Sequence, residues 1–258
     1  GMVVTFRDSD GENYITVALL GQPNCGKSTI FNSIAGLSVS TGNFPGTTVS
    51  YTESVVRHMG RRLKIVDLPG IYSFYTGDMA ERVALDYVLT HHIDVIVNVV
   101  DASVLSRSLE FTLELCEMQV PMVMALNMMD EAEEQGDMVD PARLERLLGM
   151  PVIPMIAREG RGKKALLEAI HALAEERRSH RHVCPSYSEG IEGLIDQLSV
   201  ELSRSEELST DYPIRYMAVA LLEGDPTTRT RLGSHPIWNE VKRLLPKGEA
   251  GEDITVSI

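Results

Sequence analysis

The segment Gly21–Ser28 carries residues whose types and spacing are those of a loop that binds phosphate. It reads G-Q-P-N-C-G-K-S and fits the pattern G-x-x-x-x-G-K-[ST]. Backbone N–H groups of such a loop surround a phosphate chain, and the N-terminus of the helix that follows adds partial positive charge. We expect Lys27 to reach the β- and γ-phosphates and Ser28 to ligate Mg²⁺. The residues of this segment predicted to contact the nucleotide are Asn24, Cys25, Gly26, Lys27, Ser28 and Thr29.

A second phosphate motif, D-L-P-G at Asp67–Gly70, follows an apolar run at residues 63–66. In this position Asp67 would bind Mg²⁺ through water, and the N–H of Gly70 would face the γ-phosphate. The pattern D-x-x-G is short, and an ordinary turn after a strand can give the same letters. The motif assignment is favoured because the segment follows the phosphate loop in the order that a GTPase requires.

Two later segments have the features of a site that binds guanine. The first, N-M-M-D at Asn127–Asp130, follows an apolar run and fits N-x-x-D. The carboxylate of Asp130 can accept hydrogen bonds from both N1–H and the 2-amino group of guanine. Adenine lacks both donors there, so ATP would leave a buried carboxylate unpaired. In the second segment, I-A-R after the run 152–156, we expect the N–H of Ala157 to meet guanine O6. The residues predicted to bind the base are Asn127, Met128, Asp130, Ile156, Ala157 and Arg158.

The segment Gly42–Val49, which reads G-N-F-P-G-T-T-V, supplies the threonine that such a site needs in its first switch loop. The threonine hydroxyl would ligate Mg²⁺ while its backbone N–H touches the γ-phosphate. From the residues alone Thr47 and Thr48 are both candidates, and Gly46 before them is a further predicted nucleotide contact.

Alternating strand and helix patterns up to about residue 180 indicate a parallel sheet with helices on both faces. A polar segment at 179–185 then ends in Pro185, and only helical patterns follow. The predicted architecture is an α/β P-loop GTPase domain with a mostly parallel sheet, residues 1–178, followed by a small all-helical domain, residues 186–258. Helices are predicted in the first part near 80–91, 104–118, 140–149 and 162–179.

These motifs together resemble the cytosolic N-terminal region of bacterial ferrous-iron transport protein B. The resemblance runs from about Tyr14 to Leu245, and its most specific parts are G-N-F-P-G at 42–46 and L-L-E-G-D at 221–225. By this resemblance Thr48, followed by Val49, is the threonine of the first switch. The other segments that carry the resemblance are 22–28, 67–73, 98–103, 125–132 and 213–220.

The resemblance implies that the chain belongs to a membrane protein and lies at the cytoplasmic face of the inner membrane. A membrane domain of the same protein would then be its partner, and the helical domain would slow the loss of GDP. Whether the full-length protein forms a homo-oligomer is not decided by the resemblance. The chain differs from the usual sequence of the family at three positions. It has Gln22 where Asn is usual, Cys25 where Ser or Val is frequent, and Ala157 where Ser is common.

Hydrolysis is expected to be slow because Ile71 follows Gly70, where many GTPases have a glutamine that orients the attacking water. In relatives of this family an asparagine at the position of Asn24 helps to hold K⁺, which supplies the positive charge that an arginine gives elsewhere. The alternative is that Asn24 only orders the loop. The residues predicted to act in catalysis are Lys27, Asn24, Thr48 and Gly70; the predicted metal ligands are Ser28, Thr48 and Asp67 for Mg²⁺ and Asn24 for K⁺.

Composition excludes several other classes of protein. The net charge of −13 and the pI near 5.0 argue against nucleic-acid binding as a main role. Three separated cysteines do not form a disulfide framework, and no run of about 18 apolar residues could span a membrane. A cluster at His180, His182 and Cys184 matches no standard metal motif, so solvated linker residues are the favoured interpretation.

One alternative function stays open from the residues alone. GTPases of tRNA modification or ribosome assembly also use K⁺ and also lack the glutamine. They usually carry a basic RNA-binding module, whereas the predicted helical domain here is acidic.

Overall fold

The structure, a computed structural model, describes residues 14–75, 77–176, 186–211 and 213–246. Seven strands form one sheet: β1 Tyr14–Gly21, β2 Val39–Asn43, β3 Ser50–His58, β4 Arg61–Asp67, β5 Val95–Asp101, β6 Met122–Asn127 and β7 Val152–Pro154. Six helices belong to the same part of the chain: α1 Lys27–Ile34, α2 Met79–Thr90, α3 Leu105–Cys116, α4 Met129–Glu134, α5 Pro141–Leu148 and α6 Lys163–Glu175.

The sheet has the strand order β2-β3-β4-β1-β5-β6-β7. Strands β4, β1, β5, β6 and β7 are parallel, whereas β3 is antiparallel to both β4 and β2. The central strands β1, β5 and β6 are apolar almost throughout because helices cover both of their faces. The sheet confirms the predicted α/β class with a mostly parallel sheet. The hairpin of β2 and β3 is not among the sequence predictions; apart from the buried Ser54, its strand residues are exposed or half-buried and show no clear alternation.

Parallel strands bring the predicted site segments to one edge of the sheet. Leu19 in β1 pairs with Asp67 at the end of β4, and Asp101 at the end of β5 pairs with Asn127 at the end of β6. Loops at the carboxyl ends of such strands form the crevice where ligands of open α/β sheets bind.

Only helices follow residue 186 among the described residues, which confirms the predicted helical part: α7 Glu189–Ser203, α8 Glu206–Asp211, α9 Ile214–Leu222, α10 Pro226–Gly233 and α11 Trp238–Leu244. The segment 177–185, where the linker was predicted, lies outside the described residues. The domain limits 1–178 and 186–258 therefore stay a proposal. In the described part of the chain, no helix combines the length and the apolar character needed to cross a membrane.

An ion-pair cluster joins the helical part to the sheet part. Arg215 in α9 contacts Glu117, which follows α3, at 2.8 Å between Nε and Oε2. The same guanidinium contacts Glu192 in α7 at 2.9 Å. Glu117 is completely buried, so the guanidinium of Arg215 pairs with a carboxyl group in the interior.

Candidate nucleotide-binding site

The phosphate loop has a backbone that suits an anion. Asn24 and Gly26 both adopt left-handed conformations, with φ of 63° and 87°. Gly26 precedes α1, and no side chain caps the first N–H groups of that helix. A Cβ at Gly26 would lie 2.2 Å from Nδ2 of Asn127, so only glycine fits there. Ser28 and Thr29 are exposed at the start of α1. The loop therefore presents backbone N–H groups at a helix N-terminus, where an anion can bind.

Lys27 and Asp67 form an ion pair through Nζ and Oδ1. Their side chains are only 10% and 15% exposed. The residue predicted to hold phosphate oxygens thus pairs with the residue predicted to hold Mg²⁺. The carboxylate of Asp67 and the hydroxyl of Ser28, which is exposed at the start of α1, are oxygen donors of the kind that a hard divalent cation prefers.

The D-x-x-G segment packs closely on the phosphate loop. A Cβ at Gly70 would lie 3.2 Å from Cα of Pro23, so a side chain there would press on the loop backbone. The N–H of Ile71 donates to the carbonyl oxygen of Gly21 at 3.1 Å. The side chain of Ile71 is 2% exposed and belongs to the core, so this position offers no polar group to a water molecule.

Gln22, which stands where asparagine is usual in the family, has a side chain that contacts two other segments of the chain. Its side chain is 7% exposed, and Nε2 donates to the carbonyl oxygen of Arg107 at 3.0 Å, with a longer contact of 3.5 Å to that of Tyr72. The side chain therefore connects the phosphate loop to α3 and to the segment after Gly70. The greater length of Gln relative to Asn is the signal in the sequence that could have indicated these contacts.

Asn127 organises the base end of the site. Its Nδ2 donates to the carbonyl oxygen of Cys25 at 3.1 Å, and its Oδ1 accepts from the N–H of Ala157 at 2.9 Å. Asn127 is 3% exposed, so both hydrogen bonds are shielded from water. The N–H of Ala157, which the sequence interpretation assigns to guanine O6, donates to Asn127 in this structure. Its contact with the base stays a prediction.

Asp130, three residues after Asn127, has a half-buried side chain that is 17% exposed. Met128, at φ of 60°, precedes α4 and directs the chain so that Asp130 falls in the first turn of that helix. Oδ1 of Asp130 is buried without a hydrogen-bond partner, while Oδ2 forms an ion pair with Nη2 of Arg158. An orphaned carboxylate oxygen beside a loop that carries an N–H group is what a guanine-binding site requires.

The first switch segment lies in the hairpin between β2 and β3. Phe44 and Val49 close the turn by a hydrogen bond of 2.9 Å, and Gly46 turns it with φ of 72°. The hydroxyl of Thr47 donates to the carbonyl oxygen of Phe44 at 3.0 Å and accepts from the N–H of Val49 at 3.2 Å. Thr47 is therefore used by the turn, whereas Thr48 is exposed.

Phe44 anchors this hairpin to the body of the protein. Its ring lies 4.9 Å from that of Tyr51 in β3 and 6.1 Å from that of Tyr87 in α2. In this structure the hairpin extends the sheet at the edge formed by β2 and β3. Strand β4 lies between β3 and β1, so two strand spacings of about 4.8 Å each separate β3 from β1. The role of Thr48 as a ligand of Mg²⁺ stays a prediction.

The segment after Gly70 contacts the helical part directly. The ring of Phe74 lies 5.1 Å from that of Phe111 in α3 and 6.4 Å from that of Tyr216 in α9. Glu114 in α3 accepts hydrogen bonds from Ser73 Oγ at 2.9 Å and from the N–H of Phe74 at 2.8 Å. Burial raises the pKa of Glu114 to about 8, against the opposing effect of these two donors.

The remaining candidate side chains show no reactive or metal-binding arrangement. Cys25 is buried, and burial raises the pKa of its thiol to about 11, so it is neutral near pH 7. His91 stacks on Tyr87, and His92 pairs with Asp94. No group of three or more His, Cys, Asp or Glu side chains in the part that the structure describes could hold a metal. The predicted linker residues His180, His182 and Cys184 lie outside the described residues.

Two family models match this chain, one over the sheet part and one over the helical part. The family model described as ferrous iron transport protein B matches residues 15–170, and the model of the FeoB cytosolic helical domain matches residues 187–255. The chain is 38% identical over 224 residues to the "Fe(2+) transport protein A/Fe(2+) transporter FeoB fusion protein" of Porphyromonas gingivalis, covering 86% of this chain and 26% of that protein. It is also 38% identical to the Fe(2+) transporter FeoB of Methanocaldococcus jannaschii, covering 89% and 34%. The chain thus spans about a quarter to a third of these relatives.

Solved structures agree in fold over nearly the whole chain. An NFeoB mutant of S. thermophilus bound to mGDP matches with a TM-score of 0.80 and 32% identity, covering 90% of this chain and 88% of that one. The cytosolic domain of the T. maritima FeoB iron transporter in apo form matches with a TM-score of 0.77 and 31% identity, covering 92% and 89%. With both family models matched in order, the chain belongs to the ferrous iron transport protein B family and corresponds to its N-terminal cytosolic region.

Proposed function

We propose that this region binds GTP and GDP, hydrolyses GTP slowly, and regulates a ferrous-iron transporter. The observation that carries the proposal is the position of Asn127 between the phosphate loop and the loop at Ala157, beside the orphaned carboxylate oxygen of Asp130. A structural neighbour from S. thermophilus is described as bound to GDP, which supports the same ligand class for this chain.

The base would be read by Asp130 and by one backbone donor. Guanine N1–H and its 2-amino group would donate to the two carboxylate oxygens. Since the N–H of Ala157 donates to Asn127, we assign contact with guanine O6 to the N–H of Arg158. The next two N–H groups of this turn donate to the carbonyl oxygens of Ile156 and Ala157 and so are engaged. Ile156 and Met128 would then contact the base with their side chains.

The phosphates would be held by the loop backbone and by Lys27. Mg²⁺ fits the donor set of the Ser28 hydroxyl, Asp67 and the Thr48 hydroxyl, and when bound it supplies positive charge to the phosphate oxygens. Lys27 would exchange Asp67 for the β- and γ-phosphates. In hydrolysis a water oxygen attacks the γ-phosphorus, the bond to the β,γ-bridging oxygen breaks, and GDP and phosphate leave. The N–H of Gly70 would contact the γ-phosphate during this step.

Hydrolysis is proposed to be slow and stimulated by K⁺. Ile71 has an apolar, buried side chain where a water-orienting glutamine would stand. Asn24 has an exposed side chain on the phosphate loop and could offer its amide oxygen to K⁺, which would supply positive charge near the phosphates. The exposed hydroxyl of Thr48 would contribute as a ligand of Mg²⁺.

The names of the relatives suggest the biological setting. They are Fe(2+) transporters several times longer than the matched region, so we propose a membrane domain of the same protein as partner and a location at the cytoplasmic face of the cell membrane. The match to the FeoB cytosolic helical domain disfavours the alternative of a GTPase for tRNA modification or ribosome assembly.

Calorimetric titration of the protein with GDP, GTP, ADP and ATP tests this function. We expect GDP and GTP to bind about 10⁴-fold more tightly than the adenine nucleotides, because adenine leaves Asp130 unpaired. Asp130→Asn should move the preference toward xanthine nucleotides, which carry a carbonyl at position 2 instead of the amino group. Glu133→Gln removes an exposed carboxylate from the same helix and serves as the control. Equal affinity for GDP and ADP would refute the guanine assignment.

A further inference from the structure

Arg158 reaches the carboxylate that the proposed function assigns to guanine. We propose that Arg158 is a specificity-determining residue, which pairs with Asp130 and must be displaced from it when guanine binds. This inference rests on the proposed function, because it takes Asp130 as the reader of the base.

The two oxygens of Asp130 have different surroundings. Oδ2 pairs with Nη2 of Arg158, and Nη1 of the same guanidinium lies 3.8 Å from Oε1 of Glu131. Oδ1 is buried and has no hydrogen-bond partner. Asp130 thus presents one oxygen that is paired with a guanidinium and one that can accept a hydrogen bond.

This asymmetry distinguishes bases by the number of donors they offer. Guanine presents two donors to a carboxylate, N1–H and the 2-amino group, and needs both oxygens. Hypoxanthine presents only N1–H and can use Oδ1 while Arg158 stays on Oδ2. Arg158 should therefore weaken the binding of guanine and leave that of hypoxanthine almost unchanged.

The side chain of Arg158 can leave without disturbing its backbone. It is 58% exposed, whereas the side chain of Asp130 is 17% exposed. The adjoining residue Ala157 is buried and fixed by its N–H bond to Asn127. Ion pairs that are open to water contribute little, so displacing the guanidinium should cost guanine about twofold to fivefold in affinity.

Arg158→Ala is the direct test, with Arg161→Ala as matched control. Arg161 lies in the same loop, is 73% exposed at its side chain, and pairs with Glu159 instead of Asp130. Calorimetry with unlabelled GDP, IDP and ADP gives the affinities. We expect Arg158→Ala to tighten GDP binding about twofold to fivefold and to leave IDP within experimental error. Arg161→Ala should change the affinity for neither GDP nor IDP.

Salt and a conservative variant sharpen the test. Because ionic strength screens exposed charges, the difference between Arg158→Ala and the original protein should shrink as NaCl is raised to about 0.5 M. Arg158→Lys keeps the charge and should give a GDP affinity between the two.

Three results would overturn the inference. Equal weakening of GDP and IDP by Arg158→Ala would mean that the side chain contacts the bound nucleotide. An effect no larger than that of Arg161→Ala would mean that the ion pair does not compete. If the original protein binds ADP as tightly as GDP, the proposed function itself fails; if it discriminates and Arg158→Ala has no effect, only the role of Arg158 fails.

Discussion

The side-chain amide of Asn127 donates to the carbonyl oxygen of Cys25 across 102 positions of sequence, at 3.1 Å. This single hydrogen bond fixes the phosphate loop relative to the end of β6, and the other end of the same amide holds Ala157. The base and phosphate halves of the site thus share one buried side chain.

Asn127→Ala should weaken both halves of the site. The carbonyl of Cys25 and the N–H of Ala157 would be left unpaired in the interior, and we expect a loss of about 1–3 kcal/mol in the free energy of unfolding. GDP affinity should fall at least tenfold. Urea unfolding without nucleotide and calorimetry with GDP measure the two effects. An unchanged unfolding midpoint would contradict the bridging role; Asn127→Asp keeps only the acceptor for Ala157 and should still lose part of the stability.

Hydrolysis should be faster in K⁺ than in Na⁺ by about tenfold or more, if Asn24 helps to hold the cation. Asn24 has a left-handed backbone, so Asn24→Gly removes the amide without straining the loop. In this variant the ratio of the rates in K⁺ and Na⁺ should approach one. Phosphate release in the two chloride salts at equal ionic strength is the measurement, and a ratio of one with Asn24 intact would remove the cation from the proposal.

Thr48→Ala and Thr47→Ala should have different effects because only Thr47 is used by the hairpin turn. We expect Thr48→Ala to reduce GTP hydrolysis by about 100-fold and to change GDP affinity less than twofold, since GDP has no γ-phosphate. Thr47→Ala should mainly loosen the turn, at a cost of about 1 kcal/mol. Single-turnover hydrolysis and GDP titration of both variants measure these effects. If Thr47→Ala loses hydrolysis and Thr48→Ala does not, the assignment of the first switch is wrong by one residue.

Tyr216→Leu should speed the release of GDP. The substitution keeps an apolar side chain but removes the ring contacts with Phe74 and Tyr75, which follow the D-x-x-G segment. Aromatic pairs contribute about 0.5–1.5 kcal/mol, so we expect a threefold to tenfold faster release. Stopped-flow release of a fluorescent GDP analogue measures it, with Tyr216→Phe as the control that keeps the ring. If circular dichroism shows the variant to be folded and its release rate is unchanged, the contacts of Tyr216 do not affect GDP release.

Glu114 should make the stability of the protein fall as the pH rises from about 4.5 to about 8. Its pKa is raised from 4.5 to about 8, so the folded state binds the proton more tightly than the unfolded state over that range. The unfolded state releases its proton first, and stability decreases until the folded carboxyl is also ionised. Glu114→Gln keeps an acceptor for Ser73 and Phe74 but cannot titrate, so its profile should be flatter.

Urea unfolding at several pH values compares Glu114→Gln with Glu110→Gln, a change at an exposed position on the same helix. The control should keep the slope of the original protein. Equal slopes in all three proteins would mean that Glu114 titrates normally.

The sequence determined the fold class and the identity of the motif residues. A phosphate loop between an apolar strand and a helix, followed in order by the motifs at Asp67 and Asn127, places each motif at the carboxyl end of a strand. Parallel strands bring those ends to one edge, so their proximity follows from the order of the segments alone. The two family matches agree with this interpretation.

Only the tertiary structure decided which donors and acceptors of the site are already paired. The hydrogen bond from Ala157 to Asn127 and the ion pair from Arg158 to Asp130 join loops that are about 30 positions apart, and no local pattern specifies them. The contact of Phe74 with Tyr216 joins positions that are much farther apart in sequence. Such pairings depend on the distances between packed elements, which propensity and periodicity do not encode.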